Sequence, residues 1–154
     1  MDLATFLDRQ SVLVDLEVPS KKQLLQALAD HVGETKLLDQ REVFNTVFQR
    51  EKLGSTGVGG GVAIPHGKFQ SLDRIVGYLA KLRTPIEFDA LDDAPVDLVF
   101  LLLAPEDAGA DHLKALSRIA RVLRDPGRVT QIRASSDAGT IYELLTEAPT
   151  SNAA

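Results

Sequence analysis

Between Ser11 and Val18 every second residue is apolar (Val12, Val14, Leu16 and Val18), which predicts a strand that Pro19 ends. Ser20 with Gln23 three residues on is a helix start, and Leu24, Leu25, Leu28 and Val32 make that helix's apolar face, with Gly33 as its stop. Asp39 with Glu42 repeats the start signal. Val43, Val47 and Phe48 then predict a second helix over about 40–52, ended by Gly54. Further on, Val62-Ala63-Ile64 reads as a short buried strand, Ile75 to Leu82 as a strand, Pro85 to Phe88 as a short edge piece and Asp97 to Ala104 as a central strand. The unbroken apolar run from Leu98 to Ala104 needs cover on both faces. Leu113, Leu116, Ile119, Ala120 and Leu123 return to helical spacing, Pro126 opens another helix, and Ser136 caps a last one through about Leu145. This order predicts an α/β fold with a mixed β-sheet flanked by helices on both faces. No repeat or dividing linker appears, so 1–148 reads as a single domain and 149–154 as a frayed tail.

Composition narrows function by exclusion. A chain of 154 residues, 44% hydrophobic and 25% charged, fits a globular domain and neither a disordered nor a fibrous one. No run approaches 18 apolar residues, and Met1 to Ala4 has no basic region leading into an apolar stretch. Neither membrane insertion nor secretion is expected, and the cytoplasm is the expected compartment. With no cysteine, disulfides, thiolate metal sites and cysteine nucleophiles are excluded. A net charge of -5 argues against nucleic acid as a partner. His31, His66 and His112 are the only histidines, so few groups can titrate near neutral pH.

Six of the eleven glycines fall between Gly54 and Gly67. A glycine loop invites a nucleotide reading, and the spacings refuse it. The one Gly-Lys pair, Gly67-Lys68, has Val62 where a P-loop needs its first glycine and Phe69 where it needs a hydroxyl. Gly57 and Gly59 begin a dinucleotide fingerprint, but Val62 stands at its third glycine. Leu53 rules out a serine-hydrolase elbow at Ser55. No His-Glu-x-x-His occurs, so neither a cofactor nor a metal is expected. The glycines by themselves could be a mobile loop. The residues next in the chain point elsewhere: Pro65 fixes the backbone before His66, and Gly67 lets the chain turn away beside the ring. One histidine is presented rigidly among small residues.

The segment Arg50-Glu51-Lys52-Leu53-Gly54-Ser55-Thr56-Gly57-Val58-Gly59-Gly60-Gly61-Val62-Ala63-Ile64-Pro65-His66-Gly67-Lys68 resembles the active segment of enzyme IIA of the bacterial phosphoenolpyruvate:sugar phosphotransferase system (PTS), fructose/mannitol class. The resemblance extends along almost the whole chain, through Thr84 to Ala90, Pro95 to Leu98 and Asp111 to Ser117. Within the class the chain looks most like the stand-alone nitrogen-related regulatory enzyme IIA. It departs at Gly60, where related sequences often carry asparagine or another polar residue. The resemblance implies a cytoplasmic phosphocarrier whose histidine accepts a phosphoryl group from an HPr-like carrier protein. Sugar-transport members pass the group to a IIB domain, whereas nitrogen-related members regulate target proteins according to phosphorylation state.

Carried onto this chain, His66 is the expected phosphoryl acceptor. A neutral imidazole has one lone pair on its unprotonated nitrogen, and an acceptor must hold the other, protonated one. The resemblance implies that the far nitrogen, Nε2, takes the phosphoryl. His112 lies near a helix start beyond a strand end, where an anion is favoured. From the residues alone it is either a phosphoryl-binding donor or a core-edge residue on the face shared by 112, 116, 119 and 123; the resemblance implies the donor. Arg50 can offer two parallel hydrogen bonds to phosphoryl oxygens, or simply complement a helix C-terminus. Ser55 and Thr56 are expected as secondary phosphoryl contacts, with nearby glycine amides free to approach an anion. His31 reads as a helix-end residue. Glu87, Asp89, Asp92, Asp93 and Asp97 form an acidic segment, and Lys114, Arg118 and Arg121 a basic stripe. A sugar-importer component is the alternative to a regulator, and a binding module with a degenerate site is the third reading.

Overall fold

The computed structural model describes residues 2–147; the tail expected to fray, 149–154, lies outside the described residues. The longest apolar run of the sequence becomes the central strand β6 (Val96–Pro105), in which every residue but Asp97 is buried. Strand β5 (Val76–Ile86) pairs with it antiparallel along one edge. Along the other edge two short strands run parallel to it in succession: β3 (Val62–Ala63) beside Leu98 and Val99, then β4 (His66–Phe69) beside Leu102 to Pro105. Strand β1 (Leu7–Leu16) lies parallel to β5, and β2 (Gly57–Gly59) is the antiparallel partner of β3. The sheet is mixed and six-stranded, in the order β1-β5-β6-β3-β2 with β4 also on β6.

Side chains of β6 alternate between two cores, as a period of two requires. Val99, Leu101 and Leu103 pack with helices α1 (Lys21–Glu34) and α2 (Gln40–Leu53). Leu98, Phe100 and Leu102 pack with α3 (Ala110–Leu123), α4 (Pro126–Ala134) and α5 (Ala138–Thr146). Helices therefore cover both faces, as the run demanded. Among the described residues no helix is long and apolar enough to cross a membrane.

Helix starts agree with the sequence signals. Ser20 Oγ accepts from the Gln23 amide at 3.3 Å, and the Asp39 carboxylate from the Glu42 amide at 3.1 Å. Four local expectations need correction. Gly33 does not stop α1; a Cβ there would lie 2.9 Å from Gln40 Cβ, so the glycine serves the close approach of α2. Asp137, not Ser136, caps α5, accepting from the Thr140 amide at 2.9 Å. The expected edge piece at Pro85 is the end of β5, which runs on to Ile86 through a register irregularity. In β1 the alternation breaks at Asp15, whose φ is +57°. Val12 and Val14 face α3–α5, while Leu16 and Val18 face α1 and α2. Asp8, Arg9 and Gln10 stand exposed at its start.

The glycine cluster is a hairpin turn and not a loop around the histidine. Gly59, Gly60 and Gly61 all have positive φ (+99°, +67° and +79°) and reverse the chain between β2 and β3. Asp92 Oδ2 accepts from the Gly60 amide at 3.0 Å. Arg133 donates to Gly60 O at 2.7 Å and grips the Asp97 carboxylate with Nε and Nη2. The turn's Gly61 O accepts from the amides of Asp97 and Leu98 at the start of β6, whereas His66 is level with Leu102. Four residues of strand, about 13 Å, separate the two levels. The amides of this turn are thus remote from the ring they were expected to serve.

Gly77 tests how tightly the sheet is packed. A Cβ on it would fall 2.6 and 2.7 Å from two ring atoms of Phe100, which is wholly buried. Gly77→Ala should cost about 1–3 kcal/mol, read as a lower urea midpoint with an unchanged slope. An unchanged midpoint would mean that the ring can move aside.

Candidate active site

Pro65 has no amide to give a sheet, so the strand paired with β6 is interrupted between Ala63 and His66. Its carbonyl still accepts from the Leu102 amide at 3.0 Å, and pairing resumes at once with His66 beside Leu102. The half-buried ring of His66 is therefore placed by the register of β4 on β6. Its Nδ1 lies 2.9 Å from Ile64 O. A carbonyl oxygen can only accept, so Nδ1 carries the proton and the lone pair sits on Nε2. Gly67 does not turn the chain away as expected. It lies within β4, where a Cβ would meet Thr46 Cγ2 at 3.0 Å, so glycine lets α2 approach the strand.

His112 comes from the first turn of α3, three residues past Gly109 at its N-cap. It is buried, and its ring stands edge-on to that of His66, with centroids 5.5 Å apart. Its Nε2 is buried without a hydrogen-bond partner among the described residues. Arg50, in the last turn of α2, donates from Nη1 to Gly54 O at 2.8 Å, and among the described residues its other N–H groups have no hydrogen-bond partner. Ser55 and Thr56 lie opposite the strand that leads to His66, since Thr56 O accepts from the Ile64 amide at 3.0 Å. Both hydroxyls are engaged within the protein, Ser55 donating to Phe88 O at 2.8 Å and Thr56 to the buried Glu51 carboxylate. The geometry thus brings together His66, His112 and the segment after Arg50. His31 lies apart, edge-on to Tyr78 at 5.7 Å and 3.9 Å from Glu34.

Burial holds the His66 imidazole below the ordinary histidine range, with Arg50 and Lys68 adding to the effect; the Ile64 carbonyl and Glu51 oppose it. His112 is lowered too, first by burial and then by His66 and Lys68. Two neutral imidazoles thus sit beside two cations. Such a site can offer one nucleophilic nitrogen and several donors to an anion arriving between them.

Sequence reasoning passed over Lys68 and Glu51. Lys68 stands two residues after His66 in a strand, hence on the same face, and is exposed. That spacing was a readable signal. Glu51, next to Arg50 in a polar helix end, carried none.

The family model described as "Phosphoenolpyruvate-dependent sugar phosphotransferase system, EIIA 2" matches residues 5–148. A nitrogen regulatory protein of Bradyrhizobium diazoefficiens is 53% identical over 149 residues, covering 97% of each chain. A fructose-specific EIIA component of Haloferax volcanii is 31% identical, covering 88% of this chain and 90% of that one. The crystal structure of nitrogen regulatory protein IIA-Ntr from Neisseria meningitidis superposes with a TM-score of 0.89 at 37% identity, over 94% of this chain and 99% of that one.

The two lowered imidazoles set an acid sensitivity whose sign is fixed. Below about pH 6.5, the ordinary histidine value, the unfolded chain takes up protons that the folded one refuses. Their contribution to stability is whole above that pH and lost as pH falls through the folded values. A His66→Gln, His112→Gln double variant should therefore show a flatter fall in melting temperature between about pH 7 and 5 than the wild type. A fall as steep as the wild type's would assign the acid sensitivity to other groups.

Proposed function

Because the chain belongs to the EIIA 2 family of the phosphoenolpyruvate-dependent sugar phosphotransferase system, we propose that it is a phosphohistidine carrier of the nitrogen-regulatory kind. In this reading His66 receives a phosphoryl group from an HPr-like carrier protein in the cytoplasm. The bond from His66 Nδ1 to Ile64 O carries the proposal, because it leaves the lone pair of Nε2 free for in-line attack. A bond forms from Nε2 to phosphorus as the donor's phosphorus–nitrogen bond breaks, and the donor imidazole takes back its electron pair. The Nδ1 proton stays on the ring, held by Ile64 O.

Charge on the transferring group is spread over its three outer oxygens, and stabilising it is the protein's main task. The free N–H groups of Arg50 suit that role. So does His112, whose partnerless Nε2 gains an acceptor when a phosphoryl oxygen arrives. Ser55 and Thr56 are secondary contacts, reaching the phosphoryl only by exchanging Phe88 O and Glu51 for it. The higher identity to a nitrogen regulatory protein, 53% against 31% for the fructose component, favours regulated target proteins over a IIB domain as what the carrier acts on.

Mixing the protein with phosphoenolpyruvate, enzyme I and the carrier should add about 80 Da, the mass of one phosphoryl, as an acid-labile label. His66→Ala should gain nothing, and undiminished labelling of that variant would end the proposal.

Arg50 and His112 are tested by single-turnover transfer beside thermal melts. Loss of either should slow transfer about a hundredfold, or roughly 3 kcal/mol, in a folded protein. Arg50→Lys, which keeps charge without the two-pronged geometry, should stay well below wild type. His112→Gln should be milder than His112→Ala. A folded His112→Ala variant transferring at the normal rate would reduce the site to His66 and Arg50.

A further inference from the structure

Beneath the site lies a charge that the transfer chemistry leaves unused. Glu51 is 6% exposed, and both its oxygens are occupied. Oε1 accepts from the Thr56 amide at 3.1 Å and lies 2.8 Å from Lys21 Nζ, while Oε2 accepts from the Thr56 hydroxyl. Lys21 Nζ also donates to Phe88 O at 3.3 Å and sits 4.4 Å from the centre of the Phe88 ring. The same carbonyl receives the Ser55 hydroxyl. One ion pair thus pins the first residue of α1, the last turn of α2, Ser55, Thr56 and Phe88 to each other.

Burying a carboxylate against a half-buried ammonium is a poor way to gain stability. An apolar pair of similar volume usually does as well or better. What the pair does achieve is direction. Thr56, held by Glu51 at its amide and hydroxyl, accepts through its carbonyl from the Ile64 amide at 3.0 Å. Ile64, through its own carbonyl, holds His66 Nδ1 at 2.9 Å. Three hydrogen bonds in series therefore lead from the buried carboxylate to the imidazole.

We propose that Glu51 is a positioning residue for the transfer: clamped by Lys21, it sets Thr56, Thr56 sets Ile64, and Ile64 sets the ring of His66 and the direction of its free nitrogen. The proposal rests on His66 being the phosphoryl acceptor. The charge of Glu51 acts in the same direction as its geometry. Of the groups facing His66, α2 brings Arg50 and Glu51, β4 brings Lys68 and α3 brings His112. Glu51 alone of these is acidic, and it keeps the ring's electron pair from being weakened further by two cations.

Glu51→Gln keeps the shape of the side chain and removes its charge and one strong acceptor. Its His66 titration, followed by imidazole NMR without any carrier, should move to lower pH. Its single-turnover rate from the phosphorylated carrier should fall about ten- to a hundredfold, with the acid limb of the pH–rate profile displaced the same way. Thr56→Val keeps the charge and the amide bond and loses the hydroxyl link. It should slow transfer by a smaller factor and leave the titration in place. A folded Glu51→Gln with wild-type titration and wild-type transfer overturns the proposal. Should Glu51→Gln not fold, Thr56→Val transferring at the wild-type rate overturns it. If the wild type itself takes no label on His66, the acceptor assignment fails instead, and the titration still reports whether Glu51 governs the ring.

Discussion

The backbone of β6 cannot reach water, and each of its amides and carbonyls must find a partner within the protein. β5 satisfies one edge. The other edge is satisfied piecemeal, by Gly61 O, β3, Pro65 O and β4 in turn. That patchwork is what makes a site. A single long strand would have buried position 66 in an unbroken ladder. The interruption at Pro65 instead sets the histidine at the first residue of a resumed strand, beside the segment that runs out of α2. The two helical layers arise from the same constraint, since a strand apolar on both faces needs cover on both. One of those layers supplies Arg50 and Glu51, and the other supplies His112.

In the proposed transfer, the site works through a balance between solvation and charge. Burial and neighbouring cations both disfavour a proton on His66, so the ring meets its partner neutral, with its electron pair available. The cations that depress its proton affinity would attract the phosphoryl group. Arg50 can thus serve attack and stabilisation at once. Carried too far, such an environment would drain the nucleophile. Ile64 O and Glu51 limit that loss by acting on the ring in the opposite sense.

How much of this could be read in advance depends on whether the cause lies in neighbouring residues. The apolar run at Leu98–Ala104, the caps Ser20 and Asp39, and the Pro65-His66 junction are local facts with local consequences. The acceptor for His66 is a backbone carbonyl, and every residue has one, so nothing in the residue types marked Ile64. Glu51 is matched by Lys21, thirty positions earlier, and an ion pair around a buried carboxylate looks like two solvated charges until the fold joins them. The three glycines misled for the opposite reason. Their composition suggested a cradle, but positive φ at three successive residues is equally what a tight hairpin demands. Only the register against β6 reveals which end of the strand they occupy. Similarly, the reversal at Asp15 comes from a bulge, which shifts the phase of a strand without altering its composition.

That bulge bears on how the molecule behaves among its own copies. β1 ends the sheet, and its outer side is a row of amide and carbonyl groups of the sort that recruits another strand. Three exposed polar residues at its start and a kink at Asp15 make this row a poor template, and Arg9 is tied back to Glu143 of α5 at 2.9 Å. A protein that hands on a chemical group must meet a partner, let it go and meet the next. Self-association through an open border would compete with every one of those encounters, and here β1 guards its own border.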